Sequence, residues 1–173
     1  MTKKDASNRV LILNKDQIIQ KINRIAYQIL EDNLDEKEIY IAGMGDRGFI
    51  LAMKIQDVLQ KIGSSDTFLL NVRLNAKQET EVIDPDGKIV QLKNKVIILV
   101  DDVLNSGKTI SYGLSAFLKE SQKKIRTAVL VDRSHKVYPI STDFVGLSLA
   151  TVLKEHIEVV IEEDTDLAGV YLS

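Results

Sequence analysis

Residues 95–109, KVIILVDDVLNSGKT, carry three instructions in direct succession. Lys95 to Val100 is a continuous run rich in β-branched residues, the composition of a central parallel strand covered on both faces. It leads straight into the paired carboxylates of Asp101 and Asp102, and from Asn105 into Ser106, Gly107, Lys108 and Thr109. A helix is predicted from about Thr109 to Lys119. A phosphate at that helix N-terminus would meet free backbone N–H groups, the positive end of the helix dipole and the hydroxyls of Ser106 and Thr109. Gly107 would let the backbone approach it closely. The two carboxylates would repel the same phosphate. They suit neutral hydroxyls such as a ribose diol or, indirectly, a magnesium ion. A ligand with a phosphate at one end and a diol close by is a sugar phosphate.

Two other readings of this stretch fail on single residues. A Walker A loop would end in the same Gly107-Lys108-Thr109, but it requires glycine at position 102, where this chain has aspartate. A response-regulator site would also use acidic residues after a strand, yet Asp101 lies too far along the chain and the phosphate-binding loop would have no purpose. A plain surface turn with acidic residues capping the helix accounts for an isolated acidic pair, but not for the whole string in its strand-loop-helix setting.

Upstream, Asn14 followed by Gln17 forms a capping-box pattern, and Ile18, Ile22, Ile25, Ala26, Ile29 and Leu30 recur at helical spacing behind it. Glu38 to Gly43 reads as a short buried strand, closed by the glycine-rich cluster Gly43-Met44-Gly45-Asp46-Arg47-Gly48. A helix is expected from Phe49 to a C-cap at Gly63, then a strand from Thr67 to Leu74. Residues 75–94 turn polar around Asp84-Pro85-Asp86-Gly87, which predicts a mobile hairpin turning there. Downstream come expected strands at Arg126 to Val131, Phe144-Val145 and Glu158 to Ile161, with a loop around Pro139. The alternation predicts one α/β domain over residues 1–173, with a mainly parallel sheet flanked by helices and residues 1–9 as a loose arm. Ligands of such sheets sit beyond the carboxyl ends of the strands.

Composition adds limits. The formal charge of −2 gives no general attraction for nucleic acid or acidic lipid, and the absence of cysteine removes disulfides, thiolate metal sites and cysteine nucleophiles. No apolar run approaches the ~20 residues that span a bilayer, so the expected protein is cytoplasmic with no membrane partner.

Val100 to Thr109 resembles the phosphoribosyl pyrophosphate signature of type I phosphoribosyltransferases. More of the chain is similar to the bifunctional pyrimidine-operon attenuator and uracil phosphoribosyltransferase family: ILNKDQIIQKINRIAYQIL, IAGMGDRGFILA, VIILVDDVLNSGKTI and AVLVDRSHKVYPISTDFVG. The resemblance implies the type I fold, with a small hood and a flexible hairpin loop. It implies Asp101 and Asp102 on the ribose hydroxyls, Asn105, Ser106, Gly107, Lys108 and Thr109 on the 5′-phosphate, and Gly43 to Gly48 as the pyrophosphate loop with Arg47 as its charged contact. A planar guanidinium matches phosphate oxygens in pairs, although a lone Arg47 would read as a solvated surface residue. The flexible loop would close over the reaction and exclude water, with Arg73 or Lys77 supplying positive charge. Arg133, Phe144 and Val145 would form the base-binding edge. Their plainer readings are a strand-end arginine and a core phenylalanine.

The implied reaction is displacement of pyrophosphate from phosphoribosyl pyrophosphate by a ring nitrogen of a nucleobase, with Mg2+ assisting departure. Uracil or a related pyrimidine is the expected acceptor. Purine-salvage relatives carry aspartate, and pyrimidine-type relatives tyrosine, where this chain has Asn105, and asparagine takes no proton at neutral pH. A 6-oxopurine salvage enzyme and an RNA-binding pyrimidine-operon regulator remain alternatives. RNA would need a basic face, and Lys119, Lys123, Lys124 and Arg126 are the available cluster. A homo-oligomer is implied by the resemblance alone.

Overall fold

A computed structural model describes residues 9–75, 77, 79–150, 155–161 and 168–173. Residues 1–8 of the expected N-terminal arm lie outside the described residues.

The Val96 run becomes the centre of the sheet. β1 (Val10–Asn14), α1 (Lys15–Asp32), β2 (Glu38–Met44), α2 (Gly45–Ile62), β3 (Asp66–Leu74), β4 (Thr80–Ile83), β5 (Val96–Leu104), α3 (Lys108–Phe117), β6 (Lys124–Asp132), β7 (Phe144–Ser148), β8 (Ile157–Val160) and β9 (Gly169–Leu172) follow one another along the chain. The main sheet has the order β4-β3-β2-β5-β6-β7, parallel except for the antiparallel edge strand β4. Along β5, Val96, Ile98 and Val100 join the core under α1 and α2, while Ile97 and Leu99 join the core under α3. That is why the strand needs apolar residues at every position rather than at alternate ones.

α1 begins where the sequence places it. The Asn14 side chain accepts from the Gln17 N–H and the Gln17 side chain accepts from the Asn14 N–H, both at 2.9 Å, a complete capping box. Ile18, Ile22, Ile25, Ala26 and Ile29 are its buried face.

Three expectations about element boundaries are corrected. The strand carrying the acidic pair does not end at Val100. It runs through Asp101 and Asp102 to Leu104, so only Asn105 to Gly107 are loop before α3. The glycine cluster is not an extended loop either: Gly43 and Met44 are still strand, and α2 starts at Gly45, placing Asp46, Arg47 and Gly48 in its first turn. Finally, the β3–β4 hairpin reverses over Asn75 to Glu79, where the Asn75 side chain accepts from the Lys77 and Glu79 N–H groups, both at 2.9 Å. Asparagine closes this turn through its own carbonyl. Asp84 to Gly87 turns the chain after β4 instead, with the Gly87 N–H donating to the Asp84 carbonyl at 3.0 Å.

Two strands have no counterpart in the sequence-based expectation. β1 and β9 pair antiparallel, and β9 pairs with β8, forming a separate three-stranded sheet in the order β1-β9-β8. This small sheet is the hood. Leu13, Ile157, Val159, Ile161 and Val170 pack it onto the core shared by α1 and α2.

Candidate functional site

The carboxyl ends of β2, β5 and β6 bring the predicted phosphate and diol residues together. Gly107 is the N-cap of α3 with φ +81° and no side-chain cap bond, and a Cβ there would lie 2.6 Å from the Ile140 side chain. Only glycine fits that turn. Ser111 donates to the Gly107 carbonyl at 3.0 Å and Lys108 N–H to the Ser106 hydroxyl at 3.3 Å. The N–H groups of Thr109 and Ile110 have no acceptor among the described residues. These groups, with Asp101, Asn105, Ser106, Gly107 and Lys108, line a cavity of about 40 Å³. Its donors and size suit a phosphate.

The two carboxylates differ sharply. Asp101 is buried, and its burial pushes its carboxyl well above the usual carboxylate range, with the neighbouring charge of Asp102 adding to the shift. Its Oδ1 accepts from the Asp102 N–H at 3.0 Å, and Asp102 Oδ1 accepts from the Val103 N–H at 2.9 Å. The Asp102 side chain is partly open to solvent and its Oδ2 lies 3.9 Å from an Arg47 guanidinium nitrogen. Arg47 stands exposed in the first turn of α2, which approaches β5 closely: a Cβ on Gly48 would come within 2.8 Å of the Val100 carbonyl. A small cleft of about 190 Å³ opens between Arg47 and Ile50 on one side and hood residues Val159, Val160 and Ile161 on the other. The larger cleft of about 720 Å³ between the β3–β4 hairpin and α3 contains neither the carboxylates nor the phosphate turn.

Sequence reading missed the segment after β6 that braces the phosphate turn. The Val137 and Tyr138 N–H groups both donate to the Ser106 carbonyl, at 2.9 and 3.0 Å, and Lys136 pairs with Asp132 at 3.1 Å. Backbone clamps of this kind leave no residue-type signal. Asn71, buried at the carboxyl end of β3, was missed as well.

The expected base-binding edge is corrected. Phe144 opens β7 opposite Ala128, at the amino end of the parallel strands, whereas β6 reaches the ligand side at Asp132 opposite Ser148. Four residues separate the two ends, about 13 Å of strand. Phe144 is a buried core residue, and Val145, opposite Val129, is still three residues short of that end. Arg133 is also turned inward: it is buried, donating to Asn105 Oδ1 at 2.9 Å and to the Glu155 carbonyl at 2.6 Å. The Asn105 side chain is correspondingly held by Arg133. Arg73 lies on β3 opposite Glu81 and Lys77 is exposed in the hairpin turn.

The basic cluster considered for RNA is largely paired within the protein. Lys123 bridges Glu36 at 2.7 Å, and Lys124 and Arg126 both reach Asp32 at 3.1 Å.

Known proteins agree with this architecture. The phosphoribosyl transferase domain model matches residues 11–166. The bifunctional protein PyrR of Fusobacterium nucleatum is 36% identical over 161 residues, spanning 88% of this chain and 91% of that protein. The protein of the same name from Macrococcus caseolyticus is 34% identical, spanning 94% and 97%. Among solved structures, a hypoxanthine-guanine phosphoribosyltransferase from Bacillus anthracis superposes with a TM-score of 0.72 at 20% identity, covering 94% of this chain and 96% of the other. The hypoxanthine phosphoribosyltransferase of Trypanosoma cruzi superposes at 0.69 and 14% identity, covering 80% and 81%. With a parallel sheet, a separate hood and an uncapped helix N-terminus beside paired carboxylates, the chain belongs to the type I phosphoribosyltransferases and, within them, to the family of the PyrR proteins.

Proposed function

We propose that this pentosyltransferase joins the ribose 5-phosphate of phosphoribosyl pyrophosphate to uracil or a closely related pyrimidine and releases pyrophosphate. The observation that carries the donor is the open α3 N-terminus adjoining the Asp101–Asp102 pair, with Arg47 across from Asp102. The acceptor is supported by the PyrR relatives. The purine enzymes share the fold at identities too low to speak for the base.

In this reading the Thr109 and Ile110 N–H groups and the Ser106 hydroxyl hold the 5′-phosphate. Asp102 accepts from a ribose hydroxyl, and Asp101, keeping its proton more readily than an ordinary aspartate, exchanges hydrogen bonds with the other. Arg47 leaves Asp102 for the pyrophosphate, where its charge matches the leaving group. Two adjacent carboxylates with no third His, Cys, Asp or Glu grouped with them among the described residues suit an ion that takes most of its ligands from the substrate. Bound Mg2+ would neutralise charge developing on the departing pyrophosphate. Asp102, the more open carboxylate, would hold one of its waters. The hood and hairpin exclude water from the cation-like ribose.

The deciding experiment supplies labelled phosphoribosyl pyrophosphate, Mg2+ and a panel of nucleobases. Pyrophosphate release dependent on a pyrimidine is expected, with a loss on the order of 100-fold or more in Asp102→Asn, the scale of removing one group that meets the reacting ligand. Release with purines alone would reassign the acceptor. An RNA-regulator reading has weaker support, because Lys123, Lys124 and Arg126 are committed to Glu36 and Asp32.

A further inference from the structure

Arg133 has hydrogen-bond donors only, so whichever atom of the Asn105 amide faces it must be the oxygen. The 2.9 Å contact therefore settles the orientation of that amide by chemistry. Its carbonyl is turned toward Arg133, and its NH2 group, on an exposed residue and without a partner among the described residues, is the part turned away from it. The orientation is held firmly. Arg133 is buried, its own N–H donates to the Leu104 carbonyl at 3.1 Å, and a second guanidinium nitrogen donates to the Glu155 carbonyl just before hood strand β8. The guanidinium thus bridges the end of β6, the residue after β5 and the entry to the hood.

Asn105 immediately follows the strand that carries the carboxylates and immediately precedes Ser106 of the phosphate turn. Asn105 lines the same small cavity as Asp101, Ser106 and Thr109, between the carboxylate pair and the phosphate turn. We propose that Arg133 is a positioning residue that fixes Asn105 as a hydrogen-bond donor, and that this donor selects bases with an exocyclic carbonyl beside the reacting nitrogen. A 2-oxopyrimidine has that carbonyl. A base presenting N–H at the same place would meet donor against donor, at the cost of an unmade hydrogen bond. This inference rests on the proposed transferase reading and narrows its substrate class.

The test compares wild type, Asn105→Asp and Arg133→Lys. Turnover is measured with uracil, 2-thiouracil, 4-thiouracil and hypoxanthine, and affinity with phosphoribosyl pyrophosphate and with the corresponding nucleoside monophosphates. Wild type should disfavour 2-thiouracil, whose sulfur is a weak acceptor beside the reacting nitrogen, while 4-thiouracil tracks uracil. Asn105→Asp replaces the outward donor by an acceptor and should lower kcat/KM for uracil about 10- to 100-fold, the range expected for one mispaired polar contact. Because Asn105 also lines the phosphate cavity, phosphoribosyl pyrophosphate is held saturating for each variant and the effect is read as the ratio of kcat/KM for uracil to that for 2-thiouracil, which should collapse. Arg133→Lys keeps the charge but cannot bridge Asn105 and Glu155 together, so discrimination between uracil and 2-thiouracil should shrink with donor affinity preserved. Unchanged base ranking in both variants would overturn the inference, as would a parallel loss of donor affinity in Arg133→Lys, which marks a structural role only. Absence of turnover with every base would reject the transferase reading instead. The nucleotide affinities would still decide whether Asn105 reads the carbonyl.

Discussion

At Asp101 a carboxyl group is buried beside a second one, and both effects raise its pKa well above that of the same group in the unfolded chain. A group whose pKa is raised on folding contributes stability fully below its unfolded value, and that contribution is lost as pH rises through the folded value. Asp101→Asn should therefore raise the melting temperature of the ligand-free protein at neutral pH, by about 2–4 °C for each kcal/mol relieved. The gain should vanish as pH falls below the ordinary aspartate range, while phosphoribosyl pyrophosphate binding weakens. Thermal scans from acid to neutral pH check the first part and calorimetry the second. Gly107 is constrained from the opposite direction. With φ +81° and the Ile140 side chain 2.6 Å from any added Cβ, Gly107→Ala should cost about 1–3 kcal/mol in denaturant unfolding and abolish phosphate binding.

Elements whose ends are set by neighbouring residues were legible in the sequence. The α1 start is one, since Asn14 and Gln17 satisfy each other without help from the rest of the chain. Asn14→Ala should lower unfolding stability by about 1 kcal/mol and leave donor affinity unchanged, which denaturant titration and calorimetry read separately. Element ends set by partners elsewhere were misjudged. β5 continues past the two aspartates because β6 supplies register partners on both sides of Asp102, Asp101 opposite Val129 and Val103 opposite Val131. The apolar run Val10 to Leu13 is short and adjoins a helix start, and its partner β9 lies at the far end of the chain, so neither strand announced the other. Phe144 shows the same limit at the site. Its hydrophobic character was read correctly and its position at the amino end of β7 was not.

Across the whole molecule, Asp32 joins the end of α1 to the start of β6 through Lys124 and Arg126. Hydrogen bonding from Arg126 is the main influence holding the Asp32 carboxyl below its ordinary value, with Lys124 adding to it. A depressed carboxylate gives stability present above its unfolded value and lost as pH falls through the folded one. Asp32→Asn should lower the melting temperature at neutral pH, and the difference from wild type should close below about pH 4. Strands and helices, the phosphate turn and the carboxylate pair followed from local order in the chain, because hydrophobic period, glycine and adjacent charge act over a few residues. The hood, the raised pKa of Asp101 and the partner of Asn105 came from long-range folding. Burial, strand register and the direction of an arginine side chain depend on segments far apart in the chain, and no local pattern encodes them.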